Sequence, residues 1–134
     1  MTLLVDAYTS EAAPTFLYQL LEARRAEQNI SHKAMPTFKE HCAFVDSRPY
    51  QFWYLIQQRG KFIGAVYLTS PRNEIGIHFL QGGHEYLRQN VMHLIMFRHS
   101  RPRFVANAAP KDADLIDDLT KLGFRHIQNT YELI

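Results

Sequence analysis

Between Gln51 and Thr69 the chain carries Phe52-Trp53-Tyr54-Leu55-Ile56, then Arg59-Gly60-Lys61, then Phe62-Ile63-Gly64-Ala65-Val66-Tyr67-Leu68-Thr69. Aromatic and β-branched residues suit a pleated, packed surface, and a short glycine-bearing turn reverses the chain. The stretch predicts an antiparallel hairpin on which the rest must pack. Because neighbours in a strand point to opposite faces, one of Trp53 and Tyr54 belongs to the core and the other is free to line a site. Upstream, Leu3 to Tyr8 reads as a first strand. From near Glu11 or Ala12 a helix begins in which Phe16, Leu17, Leu20 and Leu21 recur at helical spacing, with Glu22, Arg24, Arg25 and Glu27 at its solvated end. After a loop from Asn29 to Pro36, Thr37 followed by Glu40 has the form of a capping box. It opens a second helix that carries Phe38, Cys42 and Val45 inward and stops before Pro49.

Downstream of the hairpin, Pro71, Arg72 and Asn73 turn the chain into a strand from Glu74 to Leu80. Gly82-Gly83 leads into a helix in which Leu87, Val91, Leu94 and Ile95 repeat at helical spacing. Phe104 to Asn107 is a short buried strand, Lys111 to Leu122 a helix, and Gly123 its stop, since glycine takes the left-handed cap without strain. Phe124 to Leu133 supplies the last strand or two. This order predicts an α/β (α+β) fold with a mixed sheet rather than a doubly wound one.

With 134 residues, 46% of them hydrophobic, the chain has enough apolar surface to close one core, and a single domain spanning 1–134 is expected. A net charge of +2 gives no ground for a nucleic-acid partner. No apolar run approaches the roughly 18 residues of a membrane span; even Val91 to Phe97 is broken by His93. The single cysteine, Cys42, forms no internal disulfide, and no charged-then-apolar leader precedes a cleavage site, so the cytoplasm is the expected address. The histidines show no ligand spacing within a shared element, and no metal is expected. Arg98, His99, Arg101 and Arg103 sit at a helix C-terminus, where cations answer the dipole or meet an anionic partner.

The segment Asn107-Ala-Ala-Pro110-Lys-Asp112-Ala-Asp-Leu-Ile-Asp-Asp-Leu-Thr-Lys121-Leu122-Gly123-Phe124 resembles the C-terminal signature of the GNAT superfamily of N-acetyltransferases. Asn73-Glu-Ile-Gly-Ile77 is similar to that family's fourth strand, and Arg59 to Val66 to the preceding hairpin. The resemblance covers nearly the whole chain in order. It implies a GNAT-like, mostly antiparallel sheet flanked by helices, whose fourth and fifth strands (Glu74 to Leu80 and Arg103 to Ala108) begin adjacent and splay apart. The implied activity is transfer of an acetyl group from acetyl-coenzyme A to an amine, on a small molecule or a protein, by direct attack. The alternative is a catalytically weakened domain of the same fold with a binding or assembly role, and a different acyl donor is a third reading. A homodimer is left open.

By that resemblance the pantetheine arm lies against Ile77, Phe79 and Leu80, and Gln81, Gly82, Gly83 and His84 form the diphosphate loop, because free amides and a helix N-terminus favour an anion. Two readings of the loop stand side by side. Matching Tyr86-Leu87-Arg88-Gln89 to the family run Tyr-Gly-Arg-Gln puts Glu85 and Leu87 where glycines normally let backbone reach phosphate. Otherwise Gly82-Gly83 forms a shifted anion nest with Gln81 as donor. Glu74 or His78, four residues apart on one strand face, is the expected base; Asn107 and Asp112 hold the arm or order the loop. The family's tyrosine acid is replaced by Leu119, and Tyr86 and Tyr131 are acid candidates by type alone. His32, Met35 and His41 fall in or after the loop that roofs the acceptor site.

Overall fold

The computed structural model describes residues 1–28, 35–80 and 83–134, with the backbone alone for 25–28. Among these residues the chain forms β1 (Thr2–Asp6), α1 (Ala13–Gln28), α2 (Phe38–Asp46), β2 (Phe52–Gln58), β3 (Lys61–Leu68), β4 (Ile75–Phe79), a 3-10 turn (Glu85–Leu87), α3 (Arg88–Arg98) and α4 (Ala113–Lys121). The sheet order is β1-β2-β3-β4, each strand antiparallel to the next. The expected hairpin joins β2 to β3 with Gln58 facing Lys61. Its two connecting residues, Arg59 (φ 52°) and Gly60 (φ 76°), both have the left-handed backbone of a type I′ turn.

Alternation along β2 divides the core. Tyr54 and Ile56 point to a cluster with Val66, Leu68 and, from α3, Val91, Met92 and Ile95. Trp53 and Leu55 point the other way, to Phe16, Leu17 and Leu20 of α1 and Val45 of α2. Helices therefore cover both faces of the central hairpin, which is why β2 and β3 read as near-continuous apolar runs. The capping box at Thr37 forms as expected, Glu40 N donating to Thr37 Oγ1 at 3.1 Å and Thr37 N to Glu40 Oε1 at 2.9 Å. The inward stripe of α2 differs from expectation: His41 and Val45, one helical turn apart, are buried, while Phe38 is 45% exposed. Between α3 and α4, Arg88 Nη1 donates to Asp118 Oδ2 at 2.7 Å and Gln89 Nε2 to Asp118 Oδ1 at 2.9 Å.

The fifth strand expected at 103–108 contracts to one parallel bridge, Glu74 with Val105. Ile75 N donates to Val105 O at 2.8 Å and Val105 N to Asn73 O at 3.0 Å, after which the two segments part. The splay implied by the resemblance is thus present from the first residues of β4. No strand forms between 124 and 134, contrary to the pattern of Phe124 to Leu133; Ile127, Tyr131 and Leu133 are exposed. A last strand needs a ladder to add to, and one bridge does not supply it. Among the described residues no helix is long and apolar enough to cross a membrane.

Candidate functional site

The bridge fixes the backbone of Glu74 at the mouth of the splay. Its N–H donates to Thr69 Oγ1 at 3.0 Å, and its carbonyl accepts from Thr69 N at 3.0 Å. The carboxylate is held from the diverging segment: Asn107 Nδ2 donates to Glu74 Oε2 at 2.8 Å. On the other side the Tyr67 hydroxyl reaches the same oxygen at 3.5 Å, a long and weak contact. Burial, followed by the neighbouring Glu74 charge, pushes Tyr67 up to about 12, so it stays a neutral O–H at any physiological pH.

Tyr67 reaches Glu74 only because residue 76 is glycine. A Cβ there would run into the Tyr67 ring itself. The ring instead lies over β4 and stacks on Tyr50, centroids 3.8 Å apart and planes 6° from parallel. Gly76→Ala is expected to lower stability by about 1–3 kcal/mol, the usual range for an overpacked site, measured by denaturant unfolding. An unchanged midpoint would show that the ring has other places to go.

On this face the sheet, α1 and α2 enclose a cavity of about 390 Å³. Leu17 and Leu20 form one wall, Phe44 and Trp53 another, and Tyr67 and His78 its β4 side. Of the adjacent pair in β2, Trp53 is the one that lines the site, and Tyr54 donates to or accepts from His99 Nε2 at 2.7 Å on the opposite face. His78 shares its face with Glu74, as strand alternation requires. Burial and the charges of Arg24 and Arg88 push His78 down to about 3, so its ring is neutral at pH 7 and a poor proton acceptor. Arg24, expected at the solvated end of α1, lines the cavity instead. His41 is 4% exposed, lines the cavity, and its Nε2 has no hydrogen-bond partner among the described residues. Burial lowers its pKa, with the Pro14 carbonyl working against that shift.

The other edge of β4 faces the gap left by the splay. In an antiparallel ladder alternate amides point to alternate sides. Leu80 N donates to Ile63 O, placing the even-numbered amides on β3, and Ile75 N points outward to Val105 O. The amides of Ile77 and Phe79 therefore point into the gap beyond the bridge. Leu80, grouped with them by sequence, differs: its amide is engaged by β3 and its side chain packs against the cluster under α1.

Gln81 and Gly82 lie outside the described residues, as does His32. Gly83 follows with φ 80° and open space where a Cβ would be. His84 precedes the 3-10 turn, whose first residues carry no side-chain cap. Glu85 is exposed there, but Leu87 is 6% exposed and packed with Val91 and Ile95. Leu87 is thus a core residue rather than one set against a ligand. Asp112 caps α4, accepting from Leu115 N at 3.2 Å, and Tyr86 and Tyr131 are exposed. Two of the residues after α3 are engaged locally: His99 stacks on Phe52 at 3.8 Å, and Arg101 Nη2 donates to Gln51 Oε1 at 2.7 Å. Among the described residues no group of three His, Cys, Asp or Glu is placed to hold a metal.

The sequence alone did not single out Tyr67, Tyr50 or Arg24. Tyr67 carries one usable signal, its alternation with the glycine-bearing strand opposite; the other two depend on long-range packing.

No protein-family model matches the sequence, and no curated protein matches it significantly. Solved structures do match. A domain from Methanocaldococcus jannaschii DSM 2661 superposes with a TM-score of 0.79 at 14% identity, covering 98% of this chain and 93% of that one. The Campylobacter jejuni N-acetyltransferase PseH, in complex with acetyl coenzyme A, gives 0.64 at 15% identity, covering 97% and 92%. An aminoglycoside acetyltransferase from an uncultured soil metagenomic sample, in complex with sisomicin, gives 0.62 at 10% identity, covering 100% and 95%. With its antiparallel sheet, its splay after the Glu74–Val105 bridge and these neighbours, the chain has the fold of the GNAT acetyltransferases.

Proposed function

We propose that this protein is an N-acetyltransferase that takes its acetyl group from acetyl-coenzyme A and delivers it to an amine. The observation that carries this reading is the pairing of two features on one strand. Glu74 lies beside Tyr67, which lines the cavity, and three residues on, the Ile77 amide opens into the gap on the other edge.

Acetyl-coenzyme A supplies an acetyl group on a thiol leaving group. Ile77 and Phe79 offer main-chain donors to its arm, and Gly83 with the uncapped 3-10 turn offers amides to its diphosphate. The amine attacks the thioester carbonyl carbon, the C–S bond breaks, and the thiolate takes a proton from solvent. Glu74 accepts the proton the amine must lose; His78, neutral and weakly basic, has the lesser claim. Strand amides facing the gap stabilise the negative charge that develops on the carbonyl oxygen. Asn107, donating to Glu74 at 2.8 Å, keeps that carboxylate oriented.

Glu85 is the feature that opposes this reading, a carboxylate where backbone should meet phosphate. Calorimetric titration with acetyl-coenzyme A tests both. The native chain is expected to bind weakly, and Glu85→Gln to bind several-fold tighter, as removal of one nearby like charge requires. Because Leu87 is buried in the core, the variant leaves it in place. No binding by either protein would favour a domain of this fold with a binding or assembly role.

A further inference from the structure

We infer that two copies of this chain exchange strands: residues 127–133 of each add, antiparallel, to the outer edge of segment 103–108 in the other. Such pairing needs no acetyl transfer and stands apart from the reading above.

The receiving edge follows from the bridge between Glu74 and Val105. In a parallel bridge one residue turns both its amide and its carbonyl to the neighbouring strand, and the residues on either side of it turn theirs away. Val105 N donates to Asn73 O and Val105 O accepts from Ile75 N, so the N–H and C=O groups of Phe104 and Ala106 point outward from β4. None of them has a backbone partner among the described residues. The side chains of Phe104, Ala106 and Ala108 pack on the core beneath α3, which holds the segment in place with that edge open. An open edge on a fixed segment is a template for another strand.

The segment that suits it is the one whose strand pattern goes unused within the chain. From Ile127 onward apolar and polar residues alternate, with Ile127, Tyr131 and Leu133 on one face and Gln128, Thr130 and Glu132 on the other. Tyr131 and Leu133 are 89% and 99% exposed, so one chain does not cover its own apolar face. The course of the tail is set where it leaves α4. Gly123 turns with φ 97°, Phe124 N donates to Leu119 O at 2.9 Å, and the Phe124 ring packs on the core. Along that course no backbone group of 125–134 bonds to 103–108. The edge is thereby left to a second copy, and two copies offer each other the same pair of surfaces, which closes a two-fold exchange. A single bridge does not hold a last strand within one chain; the exchange makes two pairings at once and covers both apolar faces together.

Complementarity picks the register. Phe104, Ala106 and Ala108 share the core-facing side, so odd-numbered residues of the tail must stand opposite them for the apolar faces to coincide. Phe104 set against Tyr131 puts Ala108 against Ile127, and the one polar residue of that face, Asn129, meets the small Ala106. On the other face Arg103 then stands opposite Glu132, a cross-strand pair of unlike charge. A slip of two residues either way moves Glu132 off Arg103.

Sedimentation of the full chain at micromolar concentration is expected to give a dimer. Tyr131→Asp with Leu133→Asp should give a monomer whose circular dichroism is that of the native fold, because both side chains are exposed within one chain. Arg103→Glu is expected to weaken the dimer about tenfold through its two symmetric charge contacts, and Glu132→Arg added to it should restore the affinity. Crosslinking locates the contact. In a Cys42→Ser background, Ala106→Cys and Asn129→Cys stand opposite one another with Cα atoms about 5.5 Å apart, within disulfide reach. Oxidation should give a covalent dimer on a non-reducing gel, and this decides even if the aspartate variant fails to fold. A covalently closed monomer means that each tail pairs with its own edge and overturns the inference. A native chain that stays monomeric, a dimer that survives both aspartates in a folded variant, or the absence of any crosslink overturns it as well.

Discussion

Glu74→Gln is expected to lower the rate of acetyl transfer by about 10²-fold while leaving the thermal unfolding midpoint nearly unchanged. The amide keeps the length of the carboxylate and can still accept from Asn107, so the lost element is the capacity to take a proton. His78→Gln should cost less than about tenfold, because a ring held down to about 3 has little basicity to lose. The two variants together therefore assign the base. Thiol release measured across neutral pH checks the assignment: a native rate in Glu74→Gln removes Glu74 from the mechanism, and a larger loss in His78→Gln transfers the role to the histidine.

Asp118→Ala is expected to destabilise the fold by about 3–5 kcal/mol, the cost of leaving a buried charge unpaired. Arg88 is 9% exposed, and Asp118 receives both its Nη1 and the Gln89 amide. Arg88 Nε already lacks a partner among the described residues, so removing the carboxylate strips the guanidinium of its principal contact. Urea unfolding measures the loss. The paired change Arg88→Met with Asp118→Leu should recover much of it, since apolar side chains of similar size need no counter-charge there. A loss under about 1 kcal/mol in Asp118→Ala would mean that the pair behaves as a surface pair, screened by solvent.

The elements that were legible in the sequence are those specified by local chemistry. The Arg59-Gly60 turn, the capping box at Thr37 and the glycine after α4 each rest on backbone conformations or hydrogen bonds made within a few residues. What lay beyond reach depended on contacts distant in the chain. The pattern from Phe124 onward has strand composition, but whether it pairs is decided by how far 103–108 follows β4. Leu80 alternates correctly with Ile77 and Phe79 only if the direction of the β3 ladder is known, and the ladder takes its amide. Asn107 is the instructive case: the family resemblance marked it as a residue that holds the arm or orders the loop, while its partner, the Glu74 carboxylate, is set by the place where two segments separate. His41 and Arg24 were read as loop-roof and solvated residues respectively, because neither α1 nor α2 reveals from its own pattern which flank leans over the sheet.

Leu17, Leu20, Trp53 and Ala65 belong at once to the packed cluster beneath α1 and to the lining of the cavity. Over evolutionary time this dual membership ties the shape of the cavity to the packing of the fold. A substitution that reshapes the cavity also opens or crowds the interior, so lineages that change its shape must carry repacking changes elsewhere on the same face. The opposite face, which holds α3 and α4 and none of the cavity walls, is released from that double constraint and can diverge on packing grounds alone.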